Sequence, residues 1–464
     1  MANWAATLNR VPQPAEAWPL VAHGTAALDR TFAWRDGAPI SVARFLVDAA
    51  SVAARLPSTA HALNACSDRY LFAVSLAACM QRGIVTLLPP ARTPGVITHL
   101  RADAPDLVLL VDREEDAEPR GGLPVHRVEL VERGPATALA IPEFPGSQLV
   151  ARMYSSGSTG QPQPQPKLWA SLVRNAAAQV QRLAEVAPEG IALLGTVPAQ
   201  HSYGFESTVL VALAAGATLT ASRPFFPADI AAELDALPRP RGLVTTPFHL
   251  RTVLDAGLAL PAIDLLLCAT APLTPGLANA AEQAFRAPLI EIYGATESGQ
   301  LATRRTTRET CWTPYAGVQV TQHDGRAWAE GGHVLAPTPL ADLIEPAGSG
   351  GFLLLGRHAD MVNIAGKRSS LAYLTQVLLR VPGVVDGAFF VPEEPANGAD
   401  ITRVAAAVVA PGQSSSALMA ALREHLDPVF LPRPLLLVPA LPRSETSKLP
   451  VARLRALLHA QRTS

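Results

Sequence analysis

The sequence lacks an excess of charge of either sign. Its 464 residues include 38 Lys and Arg against 39 Asp and Glu, which leaves a formal net charge of −1. Binding to nucleic acid or to an anionic membrane through overall charge needs a clear basic excess. We therefore expect no nucleic-acid partner and no electrostatic attachment to a membrane.

Cysteine is scarce, and its four copies lie far apart at Cys66, Cys79, Cys268 and Cys311. Common zinc sites need closely spaced pairs such as C-x-x-C, and no such pair occurs. A disulfide framework is typical of short secreted chains rather than of a chain this long. The sequence thus predicts buried, reduced thiols.

Long apolar runs are missing as well. The most apolar early run, residues 71–80, is about half the length that spans a bilayer, and it ends at Gln81 and Arg82. The first residues do not combine a basic segment with an apolar core, as a secretory signal would. We expect a cytoplasmic protein without membrane insertion, in which residues 71–80 form a buried helix.

The residues that are present can fill a globular core. The chain is 49% hydrophobic and 17% charged, and its length is enough for about three domains. Apolar residues recur at helical spacing over residues 41–56 and 68–81, whereas 84–88 and 107–111 are continuous apolar runs. Helices that alternate with fully apolar strands indicate a mostly parallel sheet buried on both faces.

The same alternation continues after residue 150. Helices are expected over 171–187 and 206–215, and strands over 191–197, 243–246, 265–268 and 289–293. After about residue 300 the strands alternate polar and apolar residues, which predicts a smaller antiparallel subdomain. The predicted fold class is therefore α/β, with a large N-terminal domain of mostly parallel sheets and helices, a small β-rich subdomain, and a final α+β segment from about residue 360.

A run of small residues follows the apolar residues 149–151. Within residues 153–160 the chain places four hydroxyl side chains and two glycines, namely Ser155, Ser156, Gly157, Ser158, Thr159 and Gly160. Such a loop at a strand end presents backbone N–H groups and hydroxyls to an anion, because its small side chains let the ligand approach the main chain. The Gln-Pro run 162–166 should be extended and exposed.

Three later segments complete a set. They are residues 292–298 (Ile-Tyr-Gly-Ala-Thr-Glu-Ser), Asp342 with Gly356-Arg357, and residues 441–449 (Leu-Pro-Arg-Ser-Glu-Thr-Ser-Lys-Leu). In order and rough spacing, the four segments resemble those of the acyl-adenylate-forming superfamily, which comprises acyl- and aryl-CoA ligases, nonribosomal adenylation domains and luciferases. The resemblance covers nearly the whole chain and is strongest from about residue 150 onward.

The resemblance implies an ATP site. The loop of residues 154–160 would hold the β- and γ-phosphates. The family usually has Pro-Lys-Gly two residues after the last glycine, where this chain has Gln163, and Lys167 follows after a Pro-Gln insert. We assign Lys167 to the nucleotide-binding residues and leave open whether it replaces the usual lysine.

The same resemblance assigns roles to the residues near 295. Tyr293 would stack on adenine beside Gly294, and Thr296 would contact the α-phosphate. Glu297 would bind Mg²⁺, a cation that prefers carboxylate and phosphate oxygens. Asp342 would accept hydrogen bonds from the ribose hydroxyls, to which Arg357 would donate.

The C-terminal part would supply the remaining functional groups. Lys448 would bridge the substrate carboxylate and the α-phosphate, with Ser447 where glycine is usual. Ala359 occupies the hinge position, and Gly366 would let a pantetheine arm pass. The implied domains are an N-terminal adenylate-forming domain, 1–358, and a mobile C-terminal domain, 359–464.

The acid pocket resembles that of members that activate aryl acids. His201 would close the pocket, and Ser202 stands where the asparagine that meets the aryl acid is usual. Residues 363–371 and the Gln-Pro insert also resemble acyl-acid ligases of bacterial aryl polyene pigment pathways, which load a hydroxybenzoate-like acid onto a carrier protein.

The predicted reaction is ATP-dependent activation of a small carboxylic acid, followed by transfer to coenzyme A or to the phosphopantetheine of an acyl carrier protein. A P-loop NTPase is excluded because no Gly-Lys-Ser/Thr follows the serine loop, and a serine hydrolase because the loop is not Gly-x-Ser-x-Gly. A catalytically impaired adenylate-binding or scaffold protein of the same fold and a fatty acyl-CoA or acyl-carrier-protein ligase remain alternatives. The acid, the acceptor and the oligomeric state stay open.

Overall fold

The computed structural model describes residues 16–22, 27–114, 122–130, 140–156, 162–324, 326–357, 361–364, 367–392, 403–443 and 449–462. Its α-helices are α1 (Val42–Ala53), α2 (Arg69–Gln81), α3 (Pro94–Asp103), α4 (Trp169–Leu183), α5 (Ser202–Gly204), α6 (Val211–Ala214), α7 (Pro227–Ala236), α8 (Pro247–Asp255), α9 (Pro275–Phe285), α10 (Leu371–Leu379), α11 (Ser415–Arg423) and α12 (Val451–Arg462). A π-helical segment, Phe205–Leu210, joins α5 to α6, and two 3₁₀ turns lie at Gly348–Gly350 and Pro428–Phe430.

The strands from the N-terminus to the end of the first large sheet are β1 (Ala17–Pro19), β2 (Thr31–Arg35), β3 (Ala38–Ser41), β4 (His61–Asn64), β5 (Val85–Leu88), β6 (Val108–Val111), β7 (Val125–Arg127), β8 (Glu143–Pro145), β9 (Leu149–Ser156) and β10 (Pro162–Leu168). The second large sheet adds β11 (Ala192–Gly195), β12 (Thr218–Thr220), β13 (Arg241–Thr245), β14 (Leu265–Cys268), β15 (Leu289–Ala295), β16 (Gly299–Arg304) and β17 (Thr313–Pro314). The remaining strands are β18 (Val318–His323), β19 (Arg326–Gly331), β20 (Val334–Pro339), β21 (Asp342–Pro346), β22 (Phe352–Arg357), β23 (Met361–Ile364), β24 (Lys367–Ser370), β25 (Asp386–Phe390), β26 (Ala405–Val409) and β27 (Leu435–Leu437).

Two large sheets form the centre of the molecule. One has the strand order β10-β9-β5-β4-β6-β7, and the other β17-β16-β15-β14-β13-β11-β12-β2-β3. Their inner strands are parallel, and antiparallel strands lie at three of the four edges, whereas the edge strand β7 is parallel to β6. Every residue of β6 and β14 is buried, as expected of strands covered on both faces. The α/β prediction is confirmed.

The strands between residues 300 and 357 are antiparallel, as predicted for the smaller subdomain. β18, β19 and β20 form one meander, and β21 pairs with β22. From Met361 onward, the described residues, here called the C-terminal lobe, build two apolar clusters of their own. The predicted domain boundary lies at residues 358–360, outside the described residues, and stays a prediction.

One predicted helix differs in detail. Residues 206–215 were expected to form a regular helix, but the structure has α5, the π-helical segment and α6 in succession. The α5 end is tightly packed, because a Cβ at Gly204 would lie 2.0 Å from the carbonyl oxygen of Pro198. The wider π turn lies directly after this contact and changes the direction of the side chains that follow.

The helix predicted over 68–81 and the extended Gln-Pro run agree with the structure. Asp68 caps α2 by accepting a hydrogen bond from the Leu71 N–H at 3.1 Å. The Gln-Pro run is extended, as the edge strand β10. None of the four cysteines is in a disulfide. In the part of the chain that the structure describes, no helix has the length and apolarity needed to cross a membrane.

Candidate functional site

The parallel strands of the second large sheet end at one edge, and several predicted site residues follow these ends. β11 leads into the segment with His201, and β15 leads into the turn with Thr296 and Glu297. Carboxyl ends of parallel strands are the usual ligand-binding edge of such sheets. The topology therefore brings together segments that lie nearly a hundred residues apart.

Tyr293, Asp342 and Arg357 meet through two separate contacts. The Tyr293 hydroxyl donates a hydrogen bond to Asp342 Oδ2 at 2.9 Å. Asp342 opens β21 and lies directly opposite Arg357, the last residue of β22, in the antiparallel register. The three residues that the sequence assigned to adenine and ribose thus lie at one place.

Thr296 and Glu297 lie in a tight turn between β15 and β16. The turn depends on glycine, because a Cβ at Gly294 would lie 2.5 Å from the Gly299 carbonyl oxygen. Gly299 itself has a φ of +77°, in the left-handed region that favours glycine. The Glu297 side chain is exposed, so the turn presents a carboxylate to solvent.

The predicted phosphate loop starts at the end of β9. Ser155 pairs with Gln163 of β10, and its hydroxyl lies 3.5 Å from Gln165 Nε2. Ser156 ends the strand opposite Pro162. The other predicted residues of this loop, Gly157, Ser158, Thr159 and Gly160, lie outside the described residues, as do Gly366 and Lys448.

His201 opens the predicted acid pocket. It is partly buried and lies directly before α5, and its carbonyl accepts a hydrogen bond from the Phe205 N–H at 2.8 Å. Tyr203, two residues on, is buried, and burial raises the pKa of its hydroxyl well above the usual value. The pocket segment thus offers a neutral phenol and a histidine.

The strand ends below this segment are held by a buried arginine. Arg69, 1% exposed, donates to the carbonyl oxygens of Gly195 and Val197 at 2.9 Å each, and to those of Thr220 and Ser222. Burial, followed by the charge of Arg223, lowers the pKa of Arg69 to about 10. Arg69 therefore remains a cation at neutral pH.

Lys167 lies beside the Glu297 turn. Its ammonium donates to the Thr296 carbonyl at 2.6 Å, and the residue is 6% exposed. Burial lowers the pKa of Lys167, and the charges of Glu206 and Glu297 oppose this shift. The structure thus brings Lys167 to the predicted catalytic turn.

Sequence reasoning missed Glu206, which lies in the π-helical segment and is 2% exposed. Its carboxylate accepts hydrogen bonds from the Ser202 hydroxyl at 2.7 Å and from the Gln300 N–H at 3.1 Å. Burial raises the pKa of Glu206, and Lys167 is the largest opposing influence. The sequence could have pointed to Glu206, because it is the single charged residue in the otherwise uncharged run 202–222.

A magnesium ion at this site would need ligands from the substrate. Among the described residues, no group of three or more His, Cys, Asp or Glu side chains could hold a metal. Mg²⁺ is commonly held by one or two carboxylates together with substrate phosphates. An exposed Glu297 at the end of β15 fits that arrangement.

Comparison with known proteins identifies the relatives of this chain. The model of a family described as "AMP-binding enzyme" matches residues 44–327. A 4-coumarate–CoA ligase of Rhodobacter capsulatus is 32% identical over 231 residues, which is 50% of this chain and 57% of that protein. The chain thus spans little more than half the length of the curated relatives it matches.

Solved structures match over nearly the full length. ATP-bound MatB from Rhodopseudomonas palustris has a TM-score of 0.76 at 19% identity and covers 98% of both chains. The o-succinylbenzoate CoA synthetase of Bacillus subtilis, in complex with its acyl-adenylate intermediate, has a TM-score of 0.78 at 17% identity, covering 95% of this chain and 98% of the other. At these identities the likeness establishes a shared fold.

Proposed function

Because the chain belongs to the AMP-binding enzyme family, we propose that it activates a carboxylic acid with ATP. A carboxylate oxygen attacks the α-phosphorus, the bond from that phosphorus to the pyrophosphate oxygen breaks, and an acyl-adenylate forms. A thiolate then attacks the acyl carbon, which gives a thioester and releases AMP. The thiol belongs to coenzyme A or to the phosphopantetheine of an acyl carrier protein.

The observation that carries this proposal is the grouping around Asp342. The Tyr293 hydroxyl bonds to this carboxylate, and Arg357 lies opposite it in the strand register. An aromatic ring, a carboxylate and a guanidinium are suitable groups for adenine and ribose hydroxyls. Asp342 and Arg357 lie beyond the stretch matched by the family model, so they support the proposal independently.

In the first half-reaction the protein positions reactants and neutralises charge. The serine loop binds the ATP phosphates, and the Thr296 hydroxyl donates to an α-phosphate oxygen. Lys448 neutralises the acid carboxylate and the α-phosphate together, as a compact ammonium can. Glu297 would hold Mg²⁺, which when bound would supply positive charge to the phosphates.

In the second half-reaction the C-terminal domain rotates about Ala359. The rotation withdraws Lys448 and opens a path for the thiol, with Gly366 leaving room for the pantetheine arm. Domain rotation between two chemical steps is a common use of a hinge.

The proposed acid is aromatic and hydroxybenzoate-like. The name 4-coumarate–CoA ligase, carried by the relatives, denotes an aryl acid and favours this class over fatty acids. It also favours coenzyme A as acceptor, whereas the likeness to aryl polyene pathway ligases favours a carrier protein. We place the reaction in the cytoplasm, where unpaired thiols are stable.

The second candidate is an adenylate-binding scaffold without catalysis. Gln163, Ala359 and Ser447 depart from the usual family residues and favour it. Lys448, Glu297 and Arg357 are retained and favour an enzyme, because a pure binder has no use for a mobile lysine.

The test is exchange of labelled pyrophosphate into ATP across a panel of aryl and fatty acids. We expect exchange with at least one aryl acid, and a loss of about 1,000-fold in K448A with ATP binding intact. K367A, which removes an exposed lysine paired with Asp427, is the matched control and keeps exchange. Absence of exchange with every acid would establish the scaffold alternative.

A second experiment identifies the acceptor. The adenylate is formed first, coenzyme A or a carrier protein is then added, and the product is weighed by mass spectrometry. A mass increase on the carrier protein selects that acceptor, and acyl-coenzyme A selects the other.

A further inference from the structure

We propose that Lys167 and Glu206 are positioning residues that hold the Thr296–Gln300 turn from its two ends. This inference rests on the proposed function, in which Thr296 and Glu297 act on ATP and Mg²⁺. It assigns Lys167 to the turn instead of to the ATP phosphates.

The geometry places one charged group at each end of the turn. Lys167 Nζ donates to the Thr296 carbonyl at 2.6 Å, and Glu206 Oε2 accepts from the Gln300 N–H at 3.1 Å. Between these two anchors lies Glu297, whose side chain is exposed. The backbone on both sides of Glu297 is thus fixed by charge-assisted hydrogen bonds, which are stronger than neutral ones.

The C-terminal end of the turn, at Gly299 and Gln300, is so closely packed that its backbone has no room to move. A Cβ at Gly299 would lie 3.0 Å from Asn175 Nδ2 and 3.6 Å from Glu206 Oε1. Asn175 Nδ2 donates to the Gln300 carbonyl at 3.1 Å, and the Gln300 side chain donates to the Ser207 hydroxyl at 2.8 Å. Glu206 therefore belongs to a network that holds the first residues of β16.

The cost of burying these two groups argues for a role beyond stability. A buried charge loses its hydration, and even a buried pair seldom stabilises a fold more than apolar residues of the same size would. Lys167 and Glu206 are both nearly inaccessible, and their opposite charges favour each other's charged form. What the pair supplies is a fixed position for the residues between its two contacts.

The choice of lysine at position 167 is informative. Only three of the 38 Lys and Arg residues are lysine, at Lys167, Lys367 and Lys448. Arginine and lysine are not interchangeable where a compact ammonium must fit. Lys167 meets this condition, because its buried head group donates to a single carbonyl.

The same pair connects three segments that the sequence assigned to separate tasks. Lys167 lies on β10, directly after the phosphate loop, and Glu206 also accepts from Ser202 of the acid pocket segment. The segment with Glu206 is π-helical, a local distortion that is frequent at functional sites. A displacement of the turn would therefore also displace residues next to the phosphate loop and in the acid pocket segment.

The test uses the variants K167M, E206Q and the double variant K167M/E206Q in the full chain. The first readout is calorimetric affinity for ATP and for AMP. A lysine that bound the β- and γ-phosphates would lose at least about tenfold in ATP affinity relative to AMP when replaced. We expect the ratio of ATP to AMP affinity to be unchanged in K167M, and a tenfold fall of that ratio would overturn the positioning role.

The second readout is the rate of acid-dependent pyrophosphate exchange. We expect kcat to fall by about 100-fold in K167M and in E206Q, with a smaller change in KM, because a displaced catalytic group costs about this factor. The double variant should lose no more than the worse single variant, since both act on one turn. Multiplicative losses would show that the two residues act separately and would overturn the proposal.

The matched controls are E282Q and R305M. Glu282 and Arg305 form a partly buried, two-bond ion pair away from the turn. We expect these variants to have a lower melting temperature than the wild type and an unchanged kcat. A loss of kcat in them equal to that in E206Q would mean that any weakened ion pair slows exchange, and this would overturn the assignment.

Thermal melting separates failure of this inference from failure of the proposed function. K167M leaves the Glu206 carboxylate buried without its cation, so the double variant should melt at a higher temperature than K167M. Absence of exchange with every acid would defeat the proposed function. Calorimetry and thermal melting would still test whether Lys167 and Glu206 act together on the turn. Equal melting temperatures for K167M and the double variant would overturn the coupling.

Discussion

At the scale of single residues, Arg69 has the clearest consequence for stability. Its guanidinium donates hydrogen bonds to the carbonyl oxygens of four residues at the ends of two strands, β11 and β12, and the side chain is almost fully buried. We expect R69M to lower the free energy of unfolding by about 3 kcal/mol, because the carbonyls of Gly195, Val197 and Thr220 lose their donors while these residues remain buried. Urea unfolding followed by circular dichroism measures this loss.

R127M is the matched control for that measurement. Arg127 makes an exposed ion pair with Glu129 at 3.3 Å, and such pairs contribute less than about 1 kcal/mol. Equal losses in R69M and R127M would contradict the structural role of Arg69.

His249 predicts a pH dependence of stability. Burial, followed by the charge of Arg223, lowers its pKa to about 4, and its Nδ1 lies 3.0 Å from the Thr246 hydroxyl. In the unfolded chain a histidine binds a proton below about pH 6.5. The unfolded state thus takes up a proton between pH 6.5 and 4 that the native state does not, so stability present above pH 6.5 is lost as the pH falls.

The measurement compares the wild type with H249Q. Near pH 5 the difference between their unfolding free energies should change by about 1.4 kcal/mol per pH unit. Carboxylates common to both proteins cancel in this difference. Parallel curves over pH 4–6.5 would show that His249 titrates normally in the native state.

The residues of the candidate site differ in how far sequence could predict them. Tyr293, Thr296 and Glu297 lie within one short segment, so a local pattern was enough to single them out. Glu206 has no motif of its own, and its importance appears only when β16 packs against the π-helical segment. The contact of Lys167 with Thr296 spans 129 residues, and no spacing rule predicts it.

At the scale of elements, the prolines of the edge strand β10 limit its pairing with a further strand. Its prolines, at 162, 164 and 166, occupy every second position in the pairing of β10 with β9. A proline cannot donate to the ladder, so the donors toward β9 are those of the residues between them. The missing N–H groups therefore face outward and block pairing with another strand.

We expect the double variant P164T/P166T to self-associate. Two outward N–H groups would be restored on an edge strand without a loss of core packing, and light scattering at increasing concentration would detect the association. Q165T adds a threonine on the same strand without a new outward donor, so it should stay dispersed. Equal scattering from all three proteins would contradict the blocking role.

The elements themselves were mostly predictable for a physical reason. Strands such as β6 and β14 are buried on both faces, so their continuous apolar runs are enough to predict them from the local sequence alone. The π-helical segment was not predictable, because the apolar pattern of residues 206–215 is that of an ordinary helix; the segment directly follows the close approach of Gly204 to Pro198.

At the scale of the whole molecule, Asp386 connects the large sheets to the C-terminal lobe. Its carboxylate accepts two hydrogen bonds from Arg443, at 2.8 and 2.9 Å, and forms an ion pair with Arg251 of α8 at 3.1 Å. Arg443 lies five residues before Lys448. One buried carboxylate thus joins the segment that leads to the proposed catalytic lysine with a helix of the N-terminal part.

Removing Arg251 isolates the contact between the two parts, because Arg443 still neutralises Asp386. We expect R251Q to leave the melting temperature nearly unchanged and to widen the distribution of distances between spin labels on α7 and α11, measured by pulsed electron paramagnetic resonance. R239Q breaks an ion pair with Asp264 that lies wholly within the N-terminal part, and it should keep the wild-type distribution. If the rotation about Ala359 is part of the reaction, a lobe released from Arg251 should also pass its adenylate to the thiol more readily. A wild-type distribution in R251Q would mean that other contacts hold the lobe, and the shared carboxylate would then serve only to fix the Arg443 segment.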